Sequence, residues 1–216
     1  DGGFGGNQID TLVIMEQFGK GLVLEPFLAN VVLGGGAIQM GGSEELKREI
    51  LPSLIEGTKQ VTLAYAEQQS RFDLEDVATS ARQEGDKYII NGQKSMVLNA
   101  ESADHLVVVT RTSGGQVDEE GITLFLVDSN TKGLEKQNFP TVDGLRASEI
   151  TLENVEVGTE RMIGDIDKGF EILRAVSNNG ILALCAEAVG AMEILYKDTV
   201  EYTQQREQFD HPLSDF

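Results

Sequence analysis

The sequence predicts an α+β chain of several domains laid out in blocks: a helical N-terminal part, an antiparallel β-barrel in the middle, and the start of a C-terminal helical bundle. Three observations predict it. Before residue 60 apolar residues recur at helical spacing; from Gln60 they gather into short β-branched runs parted by turn residues; from about Lys168 one long helical run extends towards the C-terminus. The corresponding blocks are 1–59, 60–163 and 164–216.

In the first block, Leu12, Val13, Met15, Phe18 and Leu22 mark an amphipathic helix over residues 8–22, after the glycine-rich opening 1–7. Beyond Pro26 the stretch 27–40 is mostly apolar. Gly41-Gly42-Ser43 then hands over to Glu44-Glu45-Leu46. Ser43 is the expected N-cap, since its hydroxyl accepts an orphan amide of the first turn, and acids suit the positive end of the helix dipole. The stretch 52–57, from Pro52 to Gly57, ends the block.

The β-branched runs are 61–66, 77–81, 87–90, 105–109, 122–127 and 150–152. Turn signals at Glu84-Gly85-Asp86, Asn91-Gly92, Ser113-Gly114-Gly115 and Val142-Asp143-Gly144 divide them, Asn91-Gly92 reading as a type I′ hairpin turn. Strands without intervening helices fit an antiparallel barrel or sandwich. In the last block, residues 181–192 are apolar on almost every face, which a helix sustains only when other helices surround it. Those partners are expected outside this stretch, which stops at Phe216 shortly after the helix-ending Pro212.

Seventeen basic against thirty-six acidic side chains give a net charge of -19, which argues against nucleic acid as a partner. Phosphate binding must then rest on local donors such as helix N-termini and single arginines. No run reaches the length expected of a membrane span, and no basic, apolar leader is seen, so a cytoplasmic location is expected. The single cysteine, Cys185, excludes a disulfide within the chain and reads as a buried, inert thiol. His105 and His211 group with no metal-ligand set.

Several motifs resemble the acyl-CoA dehydrogenase family over the whole length: Gly2-Gly3-Phe4-Gly5-Gly6 with Glu16-Gln17-Phe18; the stretches 41–47 and 51–57; Asn91-Gly92-Gln93-Lys94 with Asn99; and Arg206, Gln208, Phe209, Pro212, Leu213 and Phe216, with Asp210 where glycine is usual. Stretches 64–73 and 184–192 resemble the branch that contains the small subunit of pimeloyl-CoA dehydrogenase. The resemblance implies a truncated version of the family fold, with FAD as cofactor, an acyl-CoA as substrate, electron-transfer flavoprotein as partner, and a homo- or hetero-oligomer. The implied reaction is α,β-dehydrogenation to the trans-2-enoyl-CoA, as in fatty-acid β-oxidation.

That chemistry needs a carboxylate to take the α proton, a flavin to accept the β hydride, and donors to hold the thioester oxygen. By resemblance Arg206 reaches the diphosphate of a flavin across a subunit boundary, a task suited to a guanidinium fork, with Gln208 and Phe209 beside it. The flavin-facing segment falls on residues 66–73, where only Glu67 and Asp73 keep the usual identities. Ala66, Glu67, Met96 and Leu98 are the cofactor candidates there, Met96 and Leu98 standing where an aromatic and a threonine are usual. Arg71 reads either as a ligand for a carboxylate or phosphate at the pocket mouth or as a loop residue paired with Asp73; Phe72 reads as a loop anchor. The catalytic base is expected beyond Phe216, since the alternative position on the first bundle helix holds Gly180 and Ile181. Glu187 is the other acid of interest, as a base or as a structural carboxylate. The altered loop leaves a second reading open, a flavin-poor structural small subunit of a heteromeric dehydrogenase. The turn 142–150 resembles the family's turn ahead of the last strand.

Overall fold

The computed structural model describes residues 5–216; the start of the glycine-rich opening motif, Gly2 to Phe4, lies outside the described residues. The chain forms two compact units, one built from Pro26–Gly180 and the other from Gly5–Glu25 with Ile181–Phe216.

The first unit begins with α2 (Leu28–Gly41) and α3 (Glu44–Ile55). The first half of α2, Leu28–Gly35, is wound as a π-helix. Gly34 brings it against the sheet: a Cβ there would lie 2.6 Å from the Val61 carbonyl oxygen. Ser43 caps α3 as expected, its Oγ accepting the Leu46 amide at 3.1 Å.

Eight strands follow: β1 (Val61–Ala64), β2 (Ser80–Glu84), β3 (Lys87–Leu98), β4 (His105–Arg111), β5 (Ile122–Asp128), β6 (Leu134–Pro140), β7 (Arg146–Gly158) and β8 (Met162–Ile163). They form one sheet in the order β6-β7-β3-β2-β4-β5-β8, with β1 added alongside β4. The sheet is open rather than a closed barrel, and it is not wholly antiparallel, because β1 runs parallel to β4 and Ser80 of β2 pairs in parallel with Arg111. Two strands intervene between β1 and β4, a connection long enough to bring them in side by side and parallel.

Strands β4 and β5 are buried on both faces. Val107, Val109, Ile122, Leu124 and Leu126 turn towards the helices, joining Ile38, Leu46, Ile50, Phe170, Leu173 and Val176. Leu106, Val108, Phe125 and Val127 turn the other way, onto Tyr88, Ile90, Ile150, Leu152 and Val155. The two-residue pleat thus splits each continuous apolar run between two cores.

Asn91-Gly92 is not a hairpin turn. The β2–β3 turn is at Gly85-Asp86, between the paired Glu84 and Lys87, while Asn91 and Gly92 sit inside β3 at a break in its register with β7. Glycine is needed there for clearance, since a Cβ would lie 2.6 Å from the Thr79 Cα. The Asn91 side chain accepts the Asn154 amide at 2.8 Å.

Two cations bind backbone rather than acids. The Arg111 guanidinium donates to the carbonyls of Glu75, Gln116, Asp118 and Glu120 at 2.7–2.8 Å, stapling the loop 113–121 to the segment before β2. Lys136 Nζ donates to the Ala100 carbonyl at 2.6 Å and to Ser129 Oγ at 2.8 Å.

The second unit joins α1 (Gln8–Gly21) to the later part of α4 (Gly169–Gln205). Asn7 caps α1 in a capping box: its side chain accepts the Ile9 amide, and its own amide donates to Asp10 Oδ2 at 2.7 Å. The helices cross on two glycines. A Cβ on Gly19 would lie 1.9 Å from the Glu187 carbonyl oxygen, and one on Gly190 would lie 1.9 Å from that of Glu16. Beside the crossing Lys20 bridges Glu16 and Glu193 at 2.8 Å, and hydrogen bonds from Lys197 and Lys20 hold the Glu193 carboxyl down to about 2.

Cys185 is exposed, not buried, and so are Ile181, Leu182, Leu184, Val189 and Met192. Among the described residues no side chain covers this face. By length and composition α4 is also apolar enough to cross a membrane, contrary to the expectation that no run is. The core helix of a soluble protein passes the same test.

The glycine crossing gives a first prediction. Gly190→Leu is expected to push α1 away from α4 at a cost of about 1–3 kcal/mol, seen as loss of amide-exchange protection over residues 8–21. Unchanged protection there would show that the close approach does not hold α1.

Candidate functional site

The segment after β1 is fixed by one buried ion pair. Lys94 on β3 is 1% exposed and Glu67 is 5% exposed, and they meet at 2.6 Å. Glu67 also accepts the amides of Ala78 and Thr79 at 2.8 and 3.1 Å and the Gln69 side chain at 2.8 Å, so its carboxylate is fully engaged. Burial pushes the Glu67 carboxyl up, but the Lys94 charge and these hydrogen bonds bring it below the ordinary value. For Lys94 burial is the stronger effect, lowering its pKa to about 8 although Glu67 opposes the shift.

Lys94 also donates to the Tyr65 carbonyl at 3.3 Å, and the next amide in β3, that of Ser95, donates to the Ala66 carbonyl at 2.8 Å. Ala66 is thereby held against the bulge at Ser95-Met96, where the pairing of β3 with β7 shifts register. Met96 takes a left-handed φ of 52° and is 50% exposed. A bulge re-aims side chains in this way beside many binding sites.

Glu149 faces the bulge, its Oε1 accepting Ser95 Oγ at 3.0 Å and the Met96 amide at 3.3 Å. The Met96 N–H therefore already has a partner. Leu98 is half-buried, its carbonyl accepting the Thr62 hydroxyl at 2.5 Å. Sequence reasoning missed the role of Glu149, because a bulge partner across two strands leaves no local signature.

Beyond Glu67 the chain turns tightly. The buried Ser70 donates through Oγ to the Glu67 carbonyl and accepts the Glu67 amide at 3.0 and 3.1 Å, and the Asp73 amide closes on the Ser70 carbonyl at 2.8 Å. Arg71 and Phe72 are the central residues of this second turn. Arg71 has φ 49°, and Phe72 is 95% exposed, so it is not the packed loop anchor that was expected. With both neighbours fastened, the turn directs Phe72 outward. Arg71 forms no ion pair with Asp73.

In the second unit, α4 ends in a hairpin of β9 (Glu207–Gln208) and β10 (His211–Pro212). Its two-residue loop is Phe209-Asp210 with φ 56° and 62°, both left-handed as a type I′ turn requires. Asp tolerates this conformation better than most residues, which suits Asp210 to a place where glycine is usual. The Arg206 backbone is tied into the turn, its amide to the Tyr202 carbonyl and its carbonyl to the Leu213 amide, both at 2.8 Å. Its side chain is exposed, as are Gln208 and Phe209.

Most basic side chains of this acidic chain are engaged, in ion pairs or by donating to carbonyls. Among the described residues Arg48, Arg71, Lys132 and Arg206 are the basic side chains that make neither an ion pair nor a hydrogen bond. The other singled-out residues are placed as follows. His105 is bonded to Asp128 at 2.7 Å, and His211 stacks edge-on to Phe216. Glu187 contributes its carbonyl to the Gly19 crossing, and Arg146 of the 142–150 turn pairs with Glu101. Among the described residues no cluster of metal-ligand type is present.

An FAD needs an apolar surface for its ring system and cations for its diphosphate. The residues of the first unit fit both needs: Met96 beside Ala66 offers exposed apolar surface, and Arg71 is a guanidinium that pairs with no described residue; the second unit by itself offers a further such guanidinium, Arg206. They supply no side-chain hydroxyl at Ala66.

The ion pair makes two predictions. Glu67→Gln and Lys94→Met should each cost about 3–5 kcal/mol in chemical denaturation, because each strands a buried charge or donor, while a double replacement by leucines should cost far less than their sum. Additive losses would mean the two groups act independently. Glu67 has a folded pKa below 4.5, so it adds stability above that pH that is lost as pH falls through the folded value. Stability measured against pH should fall more steeply below about 4.5 in the native protein than in the double-leucine variant; parallel curves would contradict this.

Residues 1–58 match the family model described as acyl-CoA dehydrogenase, N-terminal domain, and residues 62–155 match acyl-CoA dehydrogenase, middle domain. A 3-(aryl)acrylate reductase of Clostridium sporogenes is 31% identical over 100% of this chain and 58% of its own length. The caffeyl-CoA reductase-Etf complex subunit CarC of Acetobacterium woodii is 27% identical over the same shares, 100% and 58%. Among solved structures, an FAD-dependent dehydrogenase superposes with a TM-score of 0.90 at 30% identity, over 98% of this chain and 59% of that one. The chain thus spans somewhat under three-fifths of the relatives it matches. With the N-terminal and middle domain models met in sequence order, and the same helix-sheet-helix arrangement in the solved relative, this chain belongs to the acyl-CoA dehydrogenase family.

Proposed function

We propose that this chain supplies the N-terminal and middle portions of an FAD-dependent acyl-CoA dehydrogenase, which oxidises an acyl-CoA to its trans-2-enoyl-CoA and passes the electrons to an electron-transfer flavoprotein. The observation that carries the reading is the exposed Met96 bulge tied to Ala66 through the Ser95 amide, an apolar ledge that no described residue covers.

When bound, the flavin supplies the acceptor for the β hydride. The chain's own residues bind and orient it. Ala66, Met96 and Leu98 would hold its ring system, and Glu67 would act beneath them by fixing Lys94, which donates to the Tyr65 carbonyl next to Ala66. Glu67 is unsuited to be the base, because its carboxylate is already engaged on every side. Arg206 takes the cofactor diphosphate in a neighbouring subunit, presented by the hairpin with Gln208 and Phe209. A cytoplasmic oligomer accords with these roles.

A second reading is favoured by two observations: Ala66 lacks a hydroxyl, and the Met96 amide is engaged by Glu149. On that reading the protein is a flavin-poor subunit that shapes a heteromeric dehydrogenase and lends Arg206 to a partner's cofactor.

The full-length protein should show flavin absorption in the visible that bleaches when an acyl-CoA substrate is added, and Arg206→Ala should weaken flavin retention about tenfold or more, the worth of one charge-assisted hydrogen bond. A colourless protein that becomes active only when co-expressed with a partner subunit would favour the second reading, and a colourless, inactive mixture would defeat both.

A further inference from the structure

We propose that Arg71 is a specificity residue, whose guanidinium takes an oxyanion of the bound ligand, a phosphate or a carboxylate, at the rim of the site. The inference rests on the dehydrogenase reading given above.

Three observations lead to it. First, Arg71 is exposed and pairs with no described residue in a chain with thirty-six acidic side chains, although the exposed Asp73 is two residues away. A loose surface arginine in such a chain would be expected to settle on that carboxylate.

Second, the turn that carries it is not loose. Ser70 is buried and bonded twice to Glu67, which is locked to Lys94, and the Asp73 amide closes the turn onto the Ser70 carbonyl. Arg71 is thus projected from a fixed base, which lowers the entropy cost of engaging a ligand. That base is the Glu67–Lys94 pair that also supports Ala66 and the Met96 bulge.

Third, Arg71 occupies the first central position of the turn with φ 49°, a conformation that costs a non-glycine residue energy and favours glycine. Strain of this kind, held in place by buried neighbours, concentrates where a side chain is required for function. Phe72, 95% exposed beside it, adds an apolar surface next to the cation. A planar guanidinium with no internal partner and an adjacent aromatic ring suits an anion attached to an organic group.

The oxyanion has three chemical sources, the diphosphate of the cofactor, a phosphate of the CoA moiety or a carboxylate on the acyl chain, and one set of variants separates them. Arg71→Gly keeps the turn, because glycine prefers its φ, and removes the cation; Arg71→Lys keeps the charge and loses the fork. Binding to the full-length protein would be measured for FAD against riboflavin, for an acyl-CoA against the matching acyl-pantetheine, and for an ω-carboxyacyl-CoA against the plain acyl-CoA of equal length. We expect Arg71→Gly to weaken the more anionic member of one pair about tenfold or more relative to the less anionic one, with Arg71→Lys in between and a melting temperature unchanged or higher. A change confined to the flavin pair assigns the cofactor phosphate, one confined to the pantetheine pair a CoA phosphate, and one confined to the ω-carboxyacyl pair the carboxylate. If native protein binds FAD and acyl-CoA and Arg71→Gly leaves all three ratios within about twofold, the proposal is overturned while the dehydrogenase reading stands. Native protein that binds neither ligand overturns both.

Discussion

The arrangement of this chain's candidate site depends on the buried contact between Glu67 and Lys94. An ion pair this deep is a poor source of net stability, because both groups lose their hydration. What it provides is position. Lys94 reaches back to the Tyr65 carbonyl, Glu67 reaches forward to the amides before β2, and the chain leaving β1 is clamped from both sides. The clamp sets where Ala66 meets the Met96 bulge and where the turn bearing Arg71 leaves the surface.

This explains how a segment can depart so far from its family pattern and still keep its shape. The loop is held by Glu67 on Lys94, by Ser70 Oγ on the Glu67 backbone and by backbone hydrogen bonds, none of which draws on the side chains of Ala66, Arg71 or Phe72. Left-handed backbone recurs where the cofactor candidates stand, at Arg71 after β1, at Met96 in the β3 bulge, and at Phe209 and Asp210 in the hairpin after α4. At Arg71 and Met96 the strain is held by buried neighbours, Ser70 before the one and Val97 after the other, whereas the Phe209-Asp210 turn is exposed.

The block order and most strands were legible from periodicity, since helices, β-branched runs and the long α4 carry strong and distinct patterns. β6 was not, because Leu134-Glu135-Lys136-Gln137-Asn138 is polar and half-exposed and offers no apolar alternation. Asn91-Gly92 misled for a different reason: the dipeptide suits a hairpin turn locally, but the close passage of Thr79 gives the glycine another purpose. The side chains of the ion pair are in the sequence, yet twenty-seven positions separate them, and only the fold shows that one carboxylate answers one ammonium. The exposure of Cys185 was illegible because an all-apolar helix reads as buried wherever its covering partners lie. Phe72 failed similarly, since an aromatic in a loop reads as an anchor unless the turn geometry is known.

An open sheet leaves a border. β6 is the outer strand at one end of the order, so one row of its backbone groups has no neighbour within the sheet. Its composition discourages strangers: Glu135 and Lys136 sit mid-strand, Lys136 is turned in to hold the Ala100 carbonyl, and Pro140 ends the ladder without an amide to offer. Such features are how soluble sheets avoid edge-to-edge aggregation. They make this border a poor template for amyloid-like growth.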